Sequence, residues 1–161
     1  MTSRRTRLVV LTAAPILVAG GASVGWAAGS AEPPVVVREP LAEAKQPRGV
    51  EGRDLGLSRV TVMPGAELPA HTHPGTQVAF IEQGTLTYTV NDGRVKVMKG
   101  SSEDPTLVRR IRSGQTARIR TGQWIVEQPN DHHQAANRGD VPVVIFTATL
   151  LRKGQPAAIP D

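Results

Sequence analysis

"GAELPAHTHPGTQVAFIEQG", Gly65 to Gly84, decides how this chain is read. His71 and His73 are half of the four histidines in the sequence, and Gln77 follows four residues after the second. In extended backbone, residues i, i+2 and i+4 share one face. Both imidazoles therefore point into one space, and Gln77 has matching parity. Pro74 and Gly75 suit a turn that leads into the next strand.

Outward from this stretch the pattern stays β. "LSRVTVM" alternates, "QVAFIEQGTLTYTV" is rich in β-branched and aromatic residues, and "RVKVM" sets Val95 and Val97 on one face with Lys96 on the other. "TVNDGRV" puts Asn91, Asp92 and Gly93 between two such runs, which predicts a tight hairpin because Asn and Gly accept positive φ. "TARIRTG", "QWIVEQP" and "VPVVIFTATLL" continue the series, separated by Gly114, Gly122, Pro129 and the turn Asn137 to Asp140. No segment keeps a helical period with caps at both ends. Short strands at close spacing predict an all-β sandwich or barrel. Arg109, Arg110, Arg112, Arg118 and Arg120 form either an anion-attracting rim or the solvated face of two strands whose Ile111 and Ile119 point inward; the second reading is the commoner situation.

The other two histidines, His132 and His133, lie about sixty residues downstream between strand-like runs. Being adjacent, they face opposite sides of an extended backbone, so one of them reaches the space that His71 and His73 share. Three neutral imidazoles on rigid strands hold a divalent transition ion and leave positions open to water or substrate. With the histidines so engaged, a hydrolytic triad has no base to spare. Glu82 and Glu127 are candidates for a general acid or base, with solvent exposure the expected fate of each. Phe80, Tyr88 and Trp124 either line a pocket or pack in the core, and core packing is expected.

The N-terminus has a different character. "MTSRRTR" is basic, Leu8 to Ala28 carries no charge, and Gly25 and Ala27 offer a small pair for cleavage after Ala27. The segment reads as an export signal, by the general secretory or the twin-arginine route, or as an N-terminal membrane anchor just long enough to span. The net charge of +5 includes Arg4, Arg5 and Arg7; without them the chain is close to neutral, which removes the electrostatic case for nucleic acid. There is no cysteine, so the fold rests on its core alone.

The first stretch resembles the first motif of the cupin superfamily: Gly65, five residues, His71-x-His73, three residues, an acidic ligand, six residues, Gly84. In this chain the acidic position holds Gln77. "GQWIVEQPNDHHQAAN", Gly122 to Asn137, is similar to the second motif, whose His-x-x-x-Asn ending selects His133 with Asn137. Pro129 stands one residue late, Asp131 replaces a glycine, and the interval to His133 is one residue short. The resemblance spans roughly residues 55 to 150. It implies a double-stranded β-helix, the jelly-roll cupin barrel, over 55–151, preceded by the signal or anchor at 1–28 and a linker at 29–54 with an edge strand at Val35 to Val37, and followed by a tail at 152–161.

It also implies a metal site of His71, His73, His133 and Gln77. Exchanging a carboxylate for an amide leaves the ion its full charge, which suits Fe, Ni, Cu or Zn better than Mn; three-histidine iron sites resemble the thiol and diketone dioxygenase branch. Gln77 is otherwise placed beside the ligands, hydrogen-bonding bound water or substrate. The activities implied are oxygenase-type or Lewis-acid chemistry on a small organic molecule, or non-catalytic binding of a small ligand, or a sugar-isomerase-like reaction. Pairing of two copies through an edge strand is expected from the same resemblance, and a membrane only through the N-terminal segment.

Overall fold

The structure, a computed structural model, describes residues 35–161; the stretch 1–28 read as a signal or anchor lies outside them. Among the described residues all regular elements are strands, and no helix is long and apolar enough to cross a membrane. In chain order they are β1 (Val36–Lys45), β2 (Arg53–Val62), β3 (Glu67–Thr72), β4 (Gly75–Gln83), β5 (Thr85–Asp92), β6 (Arg94–Lys99), β7 (Thr106–Arg112), β8 (Gln115–Arg120), β9 (Gln123–Glu127), β10 (His132–Ala136), β11 (Val143–Arg152) and β12 (Ile159–Pro160).

They form two antiparallel sheets, one in the order β1-β2-β11-β4-β9-β6-β7 and the other β12-β3-β10-β5-β8. The alternation seen in the sequence decides which side chains meet between them. In β4, Gln77, Ala79 and Ile81 are buried while Val78, Phe80 and Glu82 are exposed; in β5, Leu86, Tyr88 and Val90 are buried. Val60, Val62, Ile81, Val95, Val97, Ile111, Ile125, Val143 and Ile145 of the larger sheet meet Leu86, Tyr88, Val90, Ile119 and Ala135 of the smaller in one core. This is the double-stranded β-helix, the jelly roll that cupins share.

Two local expectations are corrected. The Asn-Asp-Gly turn does not close a hairpin: β5 pairs with β8 and β10, and β6 pairs with β7 and β9. Gly93, at φ 97°, turns the chain from one sheet into the other. The corner is crowded, since a Cβ on Gly93 would come within 2.5 Å of the Asp131 carboxylate. The edge strand is also longer than the triplet Val35 to Val37 suggested. β1 pairs with β2 from Val36↔Val62 to Lys45↔Asp54, with an irregularity between Pro40 and Ala42. Pro40 and the scattered charges hide this strand from a pattern search, because an edge strand tolerates both.

Candidate metal centre

β3 and β10 are hydrogen-bonded neighbours with His71 directly opposite His133. His73 lies just past β3, where the chain crosses to β4 in the other sheet. Pro74 ends the strand, and Gly75 lets β4 approach β11 so closely that a Cβ would stand 2.2 Å from the carbonyl oxygen of Leu150. The crossing thus brings His73 against the pair formed by His71 and His133. Ring centroids are 4.9 Å apart for His71 and His73, 4.5 Å for His71 and His133, and 5.1 Å for His73 and His133. One ring nitrogen from each lies within 4.8 Å of the others, and all three residues are buried. His132 faces the other way, against the Asp161 carboxylate at 2.9 Å.

The backbone presets the rings. Nδ1 of His71 is 2.7 Å from the carbonyl of Pro69, Nδ1 of His73 is 2.6 Å from that of Ala157, and Nδ1 of His133 is 3.0 Å from that of Asp131. A carbonyl only accepts, so each Nδ1 carries the hydrogen, and in the neutral ring each Nε2 keeps its lone pair. This is the usual support for a metal-binding histidine. Nε2 of His73 is buried and has no hydrogen-bond partner among the described residues. Burial is the main cause that lowers the pKa of His71 and of His133 below the ordinary 6.5, and it favours the neutral, ligating form. The three histidines therefore form a site able to hold a metal ion.

β4 and β9 are paired with Gln77 opposite Glu127, so both side chains point inward. Glu127 was expected to meet solvent, yet it is 2 % exposed. It ends a strand of only five residues whose inward positions are Ile125 and itself; parity with Ile125 was the signal that could have revealed it. Its Oε1 accepts from the Tyr88 hydroxyl at 2.7 Å and lies 3.1 Å from Nε2 of His133. Its Oε2 accepts from Gln77 Nε2 and lies 3.5 Å from Nε2 of His73. Burial alone would raise the Glu127 pKa; the hydrogen bond that His73 could donate only when protonated, the charges that His133 and His73 then carry and the Tyr88 hydroxyl outweigh it and hold the carboxyl at about 2. Tyr88, stacked on His133 at 5.1 Å, is pushed well above the ordinary phenol value, first by burial and then by Glu127.

Gln77 thus turns its amide nitrogen to a carboxylate, while its Oε1 is buried with no partner among the described residues. Glu82 is exposed, Phe80 is on the outer face and Trp124 is partly exposed, donating to the Gly100 carbonyl at 3.0 Å. Tyr88 alone of the three aromatics belongs to the site. The five arginines lie on the solvated faces of β7 and β8, with Ile111 and Ile119 inward. The cavity beside the histidines measures about 40 Å³, room for a few water-sized groups. Arg38 of β1 also lines it; burial lowers its pKa and the Glu127 charge opposes that. Arg38 lay in the stretch read as a linker and was not foreseen.

Residues 58–102 match the model of the cupin domain family Cupin_2. Over 104 residues the chain is 30% identical to the auxin-binding protein ABP19b of Prunus persica, spanning 64% of this chain and 42% of that protein, less than half its length. Among solved structures, a cupin 2 domain-containing protein from Halorhodospira halophila shares the fold at a TM-score of 0.51 and 13% identity, covering 78% of this chain and 70% of that one. A cupin superfamily protein from Desulfitobacterium hafniense is similar at 0.49 and 14%, covering 73% and 78%. The barrel is thus shared with cupins of known structure, and residues 58–102, which hold the first motif from Gly65 to Gly84, are similar to the Cupin_2 family.

Proposed function

We propose that the protein is an exported cupin that binds one divalent transition metal through His71, His73 and His133 and uses it on a small organic molecule. The observation that carries this reading is the set of three buried rings whose Nδ1 atoms are committed to backbone carbonyls, leaving three Nε2 donors for one point. An ion held there would supply Lewis-acid polarisation or, if redox-active, oxygen chemistry. The chain's own groups do the rest. Arg38 lines the cavity and would attract a negatively charged part of a substrate. Glu127 and Tyr88 provide a carboxylate and a phenol able to hold or pass a proton at Oε1 and Oη. The small cavity suits a compact part of a substrate.

The experiment is elemental analysis of the protein purified from its native host. The expected result is about one first-row metal per chain, with His73→Ala reducing it to background while far-ultraviolet circular dichroism still shows the barrel. Protein that contains no metal, and takes up none from Fe²⁺, Ni²⁺, Cu²⁺, Zn²⁺ or Mn²⁺, overturns the reading. A second reading is favoured by the peach relative, described as auxin-binding: a non-catalytic barrel that carries a small organic ligand. A rise in Tm with such a ligand and no turnover selects it.

A further inference from the structure

We infer that Glu127 supplies the anionic metal ligand that Gln77 does not, so that the ion is held by His71, His73, His133 and Glu127 with Gln77 as the positioning residue. This rests on the metal-binding reading above. Three observations lead to it.

The first is contact geometry. Each carboxylate oxygen of Glu127 faces an Nε2: Oε1 lies 3.1 Å from His133 and Oε2 lies 3.5 Å from His73. With the Nδ1 hydrogens of both rings donated to carbonyls, these are lone pairs pointed at a carboxylate in a buried space. Acceptors so placed repel unless a positive charge stands between them, and a divalent ion at that point would join them.

The second is that the other lone pairs of the carboxylate are already spoken for. Tyr88 donates to Oε1 at 2.7 Å and Gln77 donates to Oε2. Donors of this kind fix the angle of a ligating carboxylate and mark it as a supported ligand.

The third is register. Gln77 and Glu127 stand opposite one another on β4 and β9, so the two positions look into the same space from adjacent strands. A carboxylate moved from one to the other still reaches the histidines, and the amide left at 77 becomes its donor. An amide nitrogen is no metal ligand, and Gln77 uses that nitrogen on Glu127. The exchange also restores the charge balance, since three neutral imidazoles and one carboxylate leave a divalent ion with a single net positive charge rather than two.

The test loads metal-free full-length protein with Co²⁺, whose visible bands report its donor set, and measures affinity by competition with a chelator. Glu127→Gln is expected to weaken binding about 100-fold or more, beyond the range typical of an outer partner, and to shift the bands. The paired exchange Gln77→Glu with Glu127→Gln is expected to recover affinity to within about tenfold, because the carboxylate then projects from the opposite strand. Melting of the metal-free Glu127→Gln protein shows whether the barrel is intact, and a single cooperative transition is expected. Affinity within about threefold of wild type, or a weakened affinity with unmoved bands, overturns the assignment and leaves Glu127 outside the coordination sphere. Wild-type protein that binds no Co²⁺ at all sinks instead the reading on which the assignment rests.

Discussion

Asn137 shows what a single buried polar side chain does in this barrel. It is 1 % exposed, its Nδ2 donates to the carbonyls of Val62 at 2.9 Å and Val141 at 2.8 Å, and its Oδ1 accepts from Gly139 at 3.0 Å. It therefore ties the end of β2 to the turn between β10 and β11, and its place in the second motif is structural. Asn137→Ala leaves two carbonyls without their donor and is expected to cost about 2–3 kcal/mol, read as a lower urea midpoint at unchanged slope, with metal content intact at low temperature. The histidines make a separate prediction about pH. His71 and His133 have folded pKa values below 6.5, so between those values and 6.5 the unfolded chain binds more protons. Stability of the metal-free protein is then full above 6.5 and falls as pH drops, by up to about 1.4 kcal/mol per pH unit for each group. Glu127 acts later: with a folded value of about 2 against an ordinary 4.5, its contribution is present above 4.5 and lost as pH falls through 2. Urea unfolding from pH 8 to pH 3 should show the first decline beginning near 6.5; a flat profile down to pH 5 contradicts it.

Among the elements, β6 and β7 carry a strain that their pairing makes visible. Arg94 stands opposite Arg112, and Lys96 opposite Arg110. With Trp124, Met98 and Gln128 they wall a groove of about 760 Å³ on the outer face whose lining has no carboxylate. Among the described residues none of the four cations is in an ion pair. Like charges directly opposite destabilise a ladder by roughly 0.2–1 kcal/mol per pair. Arg94→Glu is therefore expected to raise Tm by a few degrees at low salt, and the gain should shrink at about 0.5 M NaCl, where screening acts within a few ångströms. Scanning calorimetry at the two salt concentrations checks both parts. The same ladder shows where sequence reading stops. Alternation placed Val95, Val97, Ile111 and Ile119 inward, since period 2 is set by the pleat, but it cannot say which strand a strand pairs with. Hence Asn91-Asp92-Gly93 read as a hairpin, although the turn chemistry it contains also suits a passage between sheets. His71 and His73 were legible because their spacing is short and local, whereas the choice of His133 over His132 came from the resemblance to the second motif. Glu127 and Arg38 were not, because what brings them to the site is pairing with Gln77 across β4 and β9 and with Val60 across β1 and β2.

At the scale of the whole molecule, the three-histidine cluster depends on a segment that contributes little to the core. The chain after β11 returns along the smaller sheet: Ile159 pairs with Thr72 and Pro160 with His71 at its edge. On the way, the carbonyl of Ala157 accepts from Nδ1 of His73, and beyond it Asp161 meets His132. None of residues 154–161 belongs to the apolar core, so their removal leaves the barrel its apolar contacts. It does remove the partner that fixes the tautomer and orientation of His73, the ring whose Nε2 is otherwise unpaired. A protein ending at Lys153 is therefore expected to keep its β circular dichroism and melt within a few degrees of the full chain, while its metal affinity falls about tenfold, in the range for loss of a partner behind a ligand. Competition with a chelator gives that ratio directly. Equal affinity in the two proteins would show that β3 alone positions His73, and a truncated protein that fails to fold would show that the tail belongs to the barrel rather than to the site.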